Sequence, residues 1–187
     1  EKYTVQLEML IYLKIWESTQ AIKDFFQLLR LLNKENYEWN FKIKTARDSD
    51  GEYTAQEMIR TKIRNPIKKY SKLFYNEFKK AYKSQLRNSI AHSNYAIQGR
   101  YIQLNNSNPN AKFPQIKSIK FEDWIEMIHA TLTLYETLNW LRDKIYMIYI
   151  EKALKNNNKL LIRLNKIDGK EELKEVIYQP EMKRWIW

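Results

Sequence analysis

The chain contains no cysteine, so disulfides, thiolate metal sites and cysteine nucleophiles are excluded, and a reducing compartment is implied. It has only two histidines, His92 and His129, too few for a histidine cluster around zinc. Its three glycines, Gly51, Gly99 and Gly169, are too scattered for a phosphate-cradling loop or a dinucleotide fingerprint, which need glycines at short fixed spacings. No apolar run reaches the roughly 20 residues of a membrane span, and the N-terminus lacks the basic head, apolar stretch and small-residue cleavage site of a secretory signal. Asp48-Ser49-Asp50-Gly51-Glu52 has the composition of a calcium loop. Its glycine comes too early and the closing glutamate is misplaced, so it reads as a turn. The expectation is a cytoplasmic chain with no membrane segment, no metal and no other cofactor.

What the chain has is positive charge, unevenly spread. Its length of 187 residues suits a single domain, 1–187, and its formal charge is +11. Between Arg60 and Arg87 lie ten cations and one acid, Glu77, so this segment carries +9 and the remainder only +2. At about 100° per residue, Ile63, Ile67, Tyr70, Phe74, Phe78 and Ala81 share one helical face, and Lys69, Lys80, Lys83 and Arg87 fall near the opposite one. A charge run of this kind is either a solvated face or a phosphate track. Lys69, Lys80 and Lys83 are therefore candidate RNA-binding residues, and Tyr95 is the candidate for base stacking.

Periodicity predicts an all-α fold. Leu7, Leu10, Ile11, Ile15, Ile22, Phe26 and Leu29 recur at helical spacing through 5–32, as one long helix or two broken near Ser18-Thr19. Residues 33–52 read as loop. Thr54 followed by Glu57 has the form of a capping box, and the helical pattern resumes past Pro66, where a kink or restart is allowed. Residues 95–105 alternate around Gln98-Gly99-Arg100 and predict a short hairpin inside an insertion of about 95–117. Residues 121–154 return to a strong helical period, and the stretch from Lys155 reads as weaker helix broken at Asp168-Gly169. His129, between Ile128 and Leu132, reads as a core or interface histidine.

Residues 87–92 are Arg-Asn-Ser-Ile-Ala-His, a fixed cation, an amide and a group that titrates near neutral pH, which are the parts of phosphoryl chemistry. Arg87, Asn88 and His92 match the pattern of the HEPN superfamily, an arginine followed four to six residues later by histidine, with a polar residue directly after the arginine. The order of helices, motif, insertion and long final helix resembles the HEPN layout over most of the chain. This resemblance implies a helical bundle with long antiparallel helices, a homodimer with a composite active site, and, in many members, a metal-independent ribonuclease with Arg87, Asn88 and His92 as its catalytic residues. It also allows for an antitoxin partner and for flanking domains beyond both ends. HEPN toxins controlled by AMP transfer carry a tyrosine two positions after the histidine. Here that position is Asn94 and the tyrosine is Tyr95, a departure from that subfamily.

Geometry adds a constraint of its own. On one straight helix Asn88 and His92 lie one above the other, whereas Arg87 points about 140° away from His92. Either the helix ends near Ala91 and His92 turns, or a second chain completes the site. The residues leave other readings open: Arg87 and Asn88 as ordinary helix-end groups beside a satisfied histidine, a non-catalytic HEPN module that binds RNA or a nucleotide, or a helical dimerisation scaffold.

Overall fold

A computed structural model describes residues 2–44, 51–108, 110–111, 114–166 and 170–187. Residues 48–50 of the calcium-like turn at 48–52, and the break at 168–169, lie outside these residues. Of the described residues 56% are helical and 19% are in strands, arranged in three sheets, so the fold is mixed α and β and the all-α expectation is wrong.

Helix α1 (Lys2–Glu17) and α2 (Thr19–Leu32) are separate. Ser18 interrupts them in an extended conformation, and its hydroxyl accepts from Ala21 N at 3.2 Å, the side-chain cap that starts a new helix. Strands β1 (Ile43–Lys44) and β2 (Tyr53–Thr54) pair in parallel within the stretch read as loop. Gly51 lies against the backbone of Ile43 and Lys44, where any Cβ would collide.

The Thr54–Glu57 capping box is present and opens α3 (Ala55–Glu57). A seven-residue π-helix (Met58–Arg64) and α4 (Asn65–Ile67) follow. Pro66 has no N–H for the Lys62 carbonyl, and its ring would crowd that carbonyl in a regular α-turn. The wider π-turn, closed by Asn65 N donating to Arg60 O, accommodates it. The chain restarts at Ser71, whose hydroxyl caps α5 (Lys72–Ala81) through Phe74 N at 3.1 Å.

Between α5 and α6 (Ser84–Ala91) the backbone is extended at Tyr82 and Lys83. The predicted continuous helix is therefore two. The break leaves the Ala81 carbonyl and the Lys83 N–H without helical partners. The fully buried Tyr12 hydroxyl serves both, donating to Ala81 O at 3.0 Å and accepting from Lys83 N at 3.2 Å.

The hairpin around Gly99 is present as β3 (Tyr95–Gln98) and β4 (Tyr101–Leu104), and β5 (Ser118–Lys120) adds a third antiparallel strand. Gln85 of α6 holds the intervening loop by pairing its side-chain amide with Ile116, Nε2 to O at 2.8 Å and N to Oε1 at 2.9 Å. Helix α7 (Phe121–Leu154) spans 34 residues. No helix among the described residues is long and apolar enough to cross a membrane.

After α7 the chain forms an antiparallel sheet of β6 (Lys159–Asn165), β7 (Glu171–Gln179) and β8 (Arg184–Ile186), where weak helix was expected. Leu160, Ile162 and Leu164 are half-buried and the residues between them exposed, a period of two. Asn157 and Asn158 make the turn with φ of 49° and 63°, a left-handed conformation that asparagine tolerates better than most residues.

The main core joins the first six helices to the start of α7 and the inner face of the β3–β5 sheet. At its centre Trp16 stacks edge-on to Phe78 and lies 5.1 Å from Tyr82, while Tyr12 lies 5.5 Å from Trp124. Both indoles are satisfied, Trp16 Nε1 by Thr131 Oγ1 at 3.3 Å and Trp124 Nε1 by Glu8 Oε2 at 2.6 Å. A second, small cluster of Ile150, Ala153, Tyr178 and Trp185 seats the C-terminal sheet on the end of α7.

Tyr12→Phe keeps the ring and removes only the hydroxyl that closes the α5–α6 break. Chemical denaturation should show a loss of about 1–3 kcal/mol, the cost of leaving buried backbone groups unpaired. Burial raises the Tyr12 pKa above its ordinary value of 10.0, an effect that Lys83 N–H opposes. The folded pKa exceeds the unfolded one, so this contribution is complete below pH 10 and declines as pH rises above it. Tyr12→Phe should lose less stability than wild type between pH 9 and 11. Parallel pH curves would contradict the assignment.

Candidate functional site

Helix α6 is short, and its faces have distinct surroundings. Leu86, Ser89 and Ile90 are buried against the core, Arg87 and Asn88 are half-buried on its flanks, and His92 is exposed at its end. The end itself is locked. Ser93 adopts the left-handed conformation, φ 54°, and the final turn closes with Asn94 N donating to Ser89 O at 2.8 Å and Ser93 N to Ile90 O at 3.1 Å. This is the paired bonding of a Schellman cap, made here without glycine. The Ser89 hydroxyl also donates to Asn94 O, so the chain leaving His92 is held from both sides.

His92 itself keeps the helical bond from its N to Asn88 O at 3.1 Å, with φ −103° and ψ 11°. It continues the helical turn and stays above Asn88. Arg87 turns the other way, toward α1, where Nη1 meets Glu17 Oε1 at 3.4 Å. No side-chain hydrogen bond joins Arg87, Asn88 and His92. The divergence expected from helical spacing is therefore what one chain contains.

Arg87 is a member of a cationic cluster centred on Tyr82. Burial raises the Tyr82 pKa, and the positive charges of Arg87, Arg60 and Arg64 act against that rise. Lys83 is shifted down, first by burial and then by Lys79 and Arg64. Arg64 is likewise shifted down, by burial and in part by Arg60. Two groups here are incompletely satisfied. Arg87 Nε and Tyr82 Oη are both buried outside bonding geometry with a described partner, although the Arg87 side chain is near enough to Tyr82 to oppose the rise in its pKa. Among the described residues, no group of three or more His, Cys, Asp or Glu side chains is placed to hold a metal ion.

The other predicted site residues are dispersed. Lys69 is exposed and lies over the Tyr70 ring at 5.2 Å. Lys80 is exposed and paired to Glu126 at 3.5 Å. Lys83 is half-buried in the cationic cluster. Tyr95 is half-buried in β3 and packs against the main core, which limits the ring face it can offer to a base. His129 is exposed between the exposed Ile125 and Leu132, so it is not a core residue. Arg60 and Arg64 had a signal in the basic run, being four residues apart, but helical spacing did not single them out because the segment is a π-helix. Glu17 had no signal at all, because only the packing of α1 on α6 brings it to Arg87.

Comparison of the chain with protein-family models, with curated proteins and with solved structures finds no match.

The cap at His92 is testable without any assay of function. Glycine adopts the left-handed conformation without the penalty of roughly 1–2 kcal/mol that other residues incur. Ser93→Gly should therefore raise the denaturation midpoint, by up to about 1 kcal/mol in stability, and Ser93→Val should lower it. Equal effects of the two would mean that the cap geometry is not as described.

Proposed function

We propose that the chain is a HEPN-type endoribonuclease that acts without a metal, as a homodimer in the cytoplasm, in toxin, anti-phage defence or RNA-processing biology. The observation that carries this reading is the exposed His92 on a locked helix end, with Arg87 on the same two-turn helix inside a cluster of arginines and lysines. His92 accepts the proton of a ribose 2′-hydroxyl, whose oxygen attacks the adjacent phosphorus. The P–O5′ bond breaks, and His92 of the partner subunit protonates the departing 5′-oxygen. The products are a 2′,3′-cyclic phosphate and a 5′-hydroxyl. Arg87 grips the non-bridging oxygens with its planar two-pronged donor and stabilises the charge that develops there. Asn88, beneath His92, orients it or donates to phosphate.

The dimer is supported by apolar surface that nothing in the described chain covers. On α1, Tyr3, Leu7 and Leu10 are 86%, 59% and 62% exposed. They recur at helical spacing, with Ile11 beside them, as a face that buries itself against something. Helix α7, joined to α1 through Glu8 and Trp124, carries exposed Ile125 and Leu132 of its own. A second copy seated on this face accounts for the apolar exposure and supplies the second motif. Sedimentation at micromolar concentration should give about twice 22.9 kDa. Leu7→Lys with Leu10→Lys should return the chain to monomer and remove cleavage, and a wild-type monomer at that concentration would sink the composite site.

A non-catalytic RNA-binding module is the second reading, favoured by the ion pair that ties Arg87 to Glu17. Cleavage of a mixed RNA pool in EDTA decides between the two. His92→Ala should lower the rate by about 10²–10⁴ with RNA affinity nearly unchanged. Arg87→Lys keeps the charge, loses the planar fork and should also slow cleavage substantially. Cleavage equally fast in all three proteins would eliminate the catalytic reading, and binding without cleavage would establish the second.

A further inference from the structure

A cleft of about 480 Å³ lies away from the α6 motif, between the end of α2, the chain entering β1 and β2, and the π-helix. Its volume is in the range of small-molecule sites, roughly 300–1,000 Å³. We propose that this cleft is a base-binding subsite that takes one unpaired nucleobase of the RNA, a proposal that rests on the RNA reading above.

The walls are aromatic and apolar. Phe26 and Phe41 pack on each other at 5.3 Å with planes 34° apart, Arg30 lies over Phe26 at 5.7 Å, Tyr53 adds a third ring, and Met58 and Pro66 belong to the π-helical segment and its continuation. Every nucleobase has a π-face, so stacking on such rings binds bases without reading sequence. π-helices are rare and recur at functional sites.

The charge of the lining selects the base over the phosphate. Among the described lining residues, Arg30, Lys42 and Lys62 are offset by Glu35, Glu38 and Glu52. Arg30 is held by Glu35 at 3.2 Å and by Asn36 O at 2.8 Å, and Lys62 lies over the Tyr53 ring at 4.5 Å. Three carboxylates beside three occupied cations do not attract a free phosphate. They suit a neutral planar group with donors and acceptors on its edge, for which Asn33 and Asn40 also line the cleft.

The described rim is held by hydrogen bonds and adjoins two exposed lysines. Gln27 clamps the chain beyond α2 by a reciprocal pair with Glu38, Nε2 to O at 2.8 Å and N to Oε1 at 3.0 Å. The Tyr70 hydroxyl donates to Asn33, which ties the exposed turn bearing Lys68 and Lys69 to the rim. Phosphates on either side of an inserted base would meet that turn. The cleft thus gives Lys69 a role that no single-helix stripe provides.

The test uses the full chain with selectively labelled methionine methyl groups and the four ribonucleosides, which carry no phosphate. The Met58 methyl resonance, assigned by Met58→Leu, should shift with at least one nucleoside while Met9, Met127, Met147 and Met182 stay in place. Tyr53→Ala should weaken nucleoside and single-stranded RNA binding about ten-fold or more, and Tyr53→Phe, which keeps the ring, should restore both. If RNA binds but no nucleoside moves Met58 and Tyr53→Ala binds RNA normally, the subsite is wrong and the RNA reading survives. If nucleosides move Met58 and RNA does not bind, the RNA reading fails and, with it, the base subsite of an RNA, leaving a site for free nucleosides. Should Tyr53→Ala fail to fold, the methyl titration of the wild type decides alone.

Discussion

The hydroxyl of Tyr12 carries more of this architecture than any other single group. Helix α5 ends at Ala81 and α6 begins at Ser84, and the two residues between them are extended. A buried break of that kind strands a carbonyl and an N–H away from water, at a cost that would make continuous helix preferable. Tyr12 provides a donor to one and an acceptor to the other from the adjacent helix α1. The break redirects the chain so that Leu86 and Ile90 enter the core while Arg87 meets α1 and His92 emerges at the surface. The orientation of the motif therefore depends on a tyrosine some 70 residues earlier in the chain.

The same break changes the meaning of the basic segment. As one helix, Lys69, Lys80, Lys83 and Arg87 would form a line. As a π-helix, a turn and two separate helices, the cations divide into groups with different surroundings. Arg60, Arg64 and Arg87 act on a buried phenol, and beside them burial, Lys79 and Arg64 lower the Lys83 pKa. Lys68 and Lys69 stand on an exposed turn beside an aromatic cleft. The π-helical segment contributes to both surroundings, Arg60 and Arg64 to the first and Met58 and Lys62 to the cleft.

Local signals were legible where the local chain decides its own structure. The Thr54–Glu57 capping box, the interruption at Ser18, the tight hairpin at Gly99 and the period of residues 121–154 all depend on contacts within a few residues. The C-terminal sheet was misread because Leu, Lys and Glu dominate residues 159–175 and favour helix, while the strand period there is carried by three half-buried leucine and isoleucine residues alone. Asn156-Asn157-Asn158 was the available warning, a cluster suited to left-handed turns between two elements. The π-helix has no distinct sequence signature beyond Pro66 placed four residues after Lys62. Tyr95 looked free because it follows the motif closely, but its strand pairs with β4 and turns the ring toward the core.

By itself the sequence determined the chemical inventory: no thiol, two histidines, a basic segment carrying most of the net charge, and an Arg-Asn-x-x-x-His motif. These follow from composition and residue order, which no packing can alter. Tertiary structure decided what those groups face. Glu17 reaches Arg87, Tyr12 opens the gap between α5 and α6, and Phe26, Phe41 and Tyr53 assemble one cleft from three segments. The physical reason is that each of these contacts joins residues distant in the chain, and such encounters are selected by burial of the whole core rather than by any local preference.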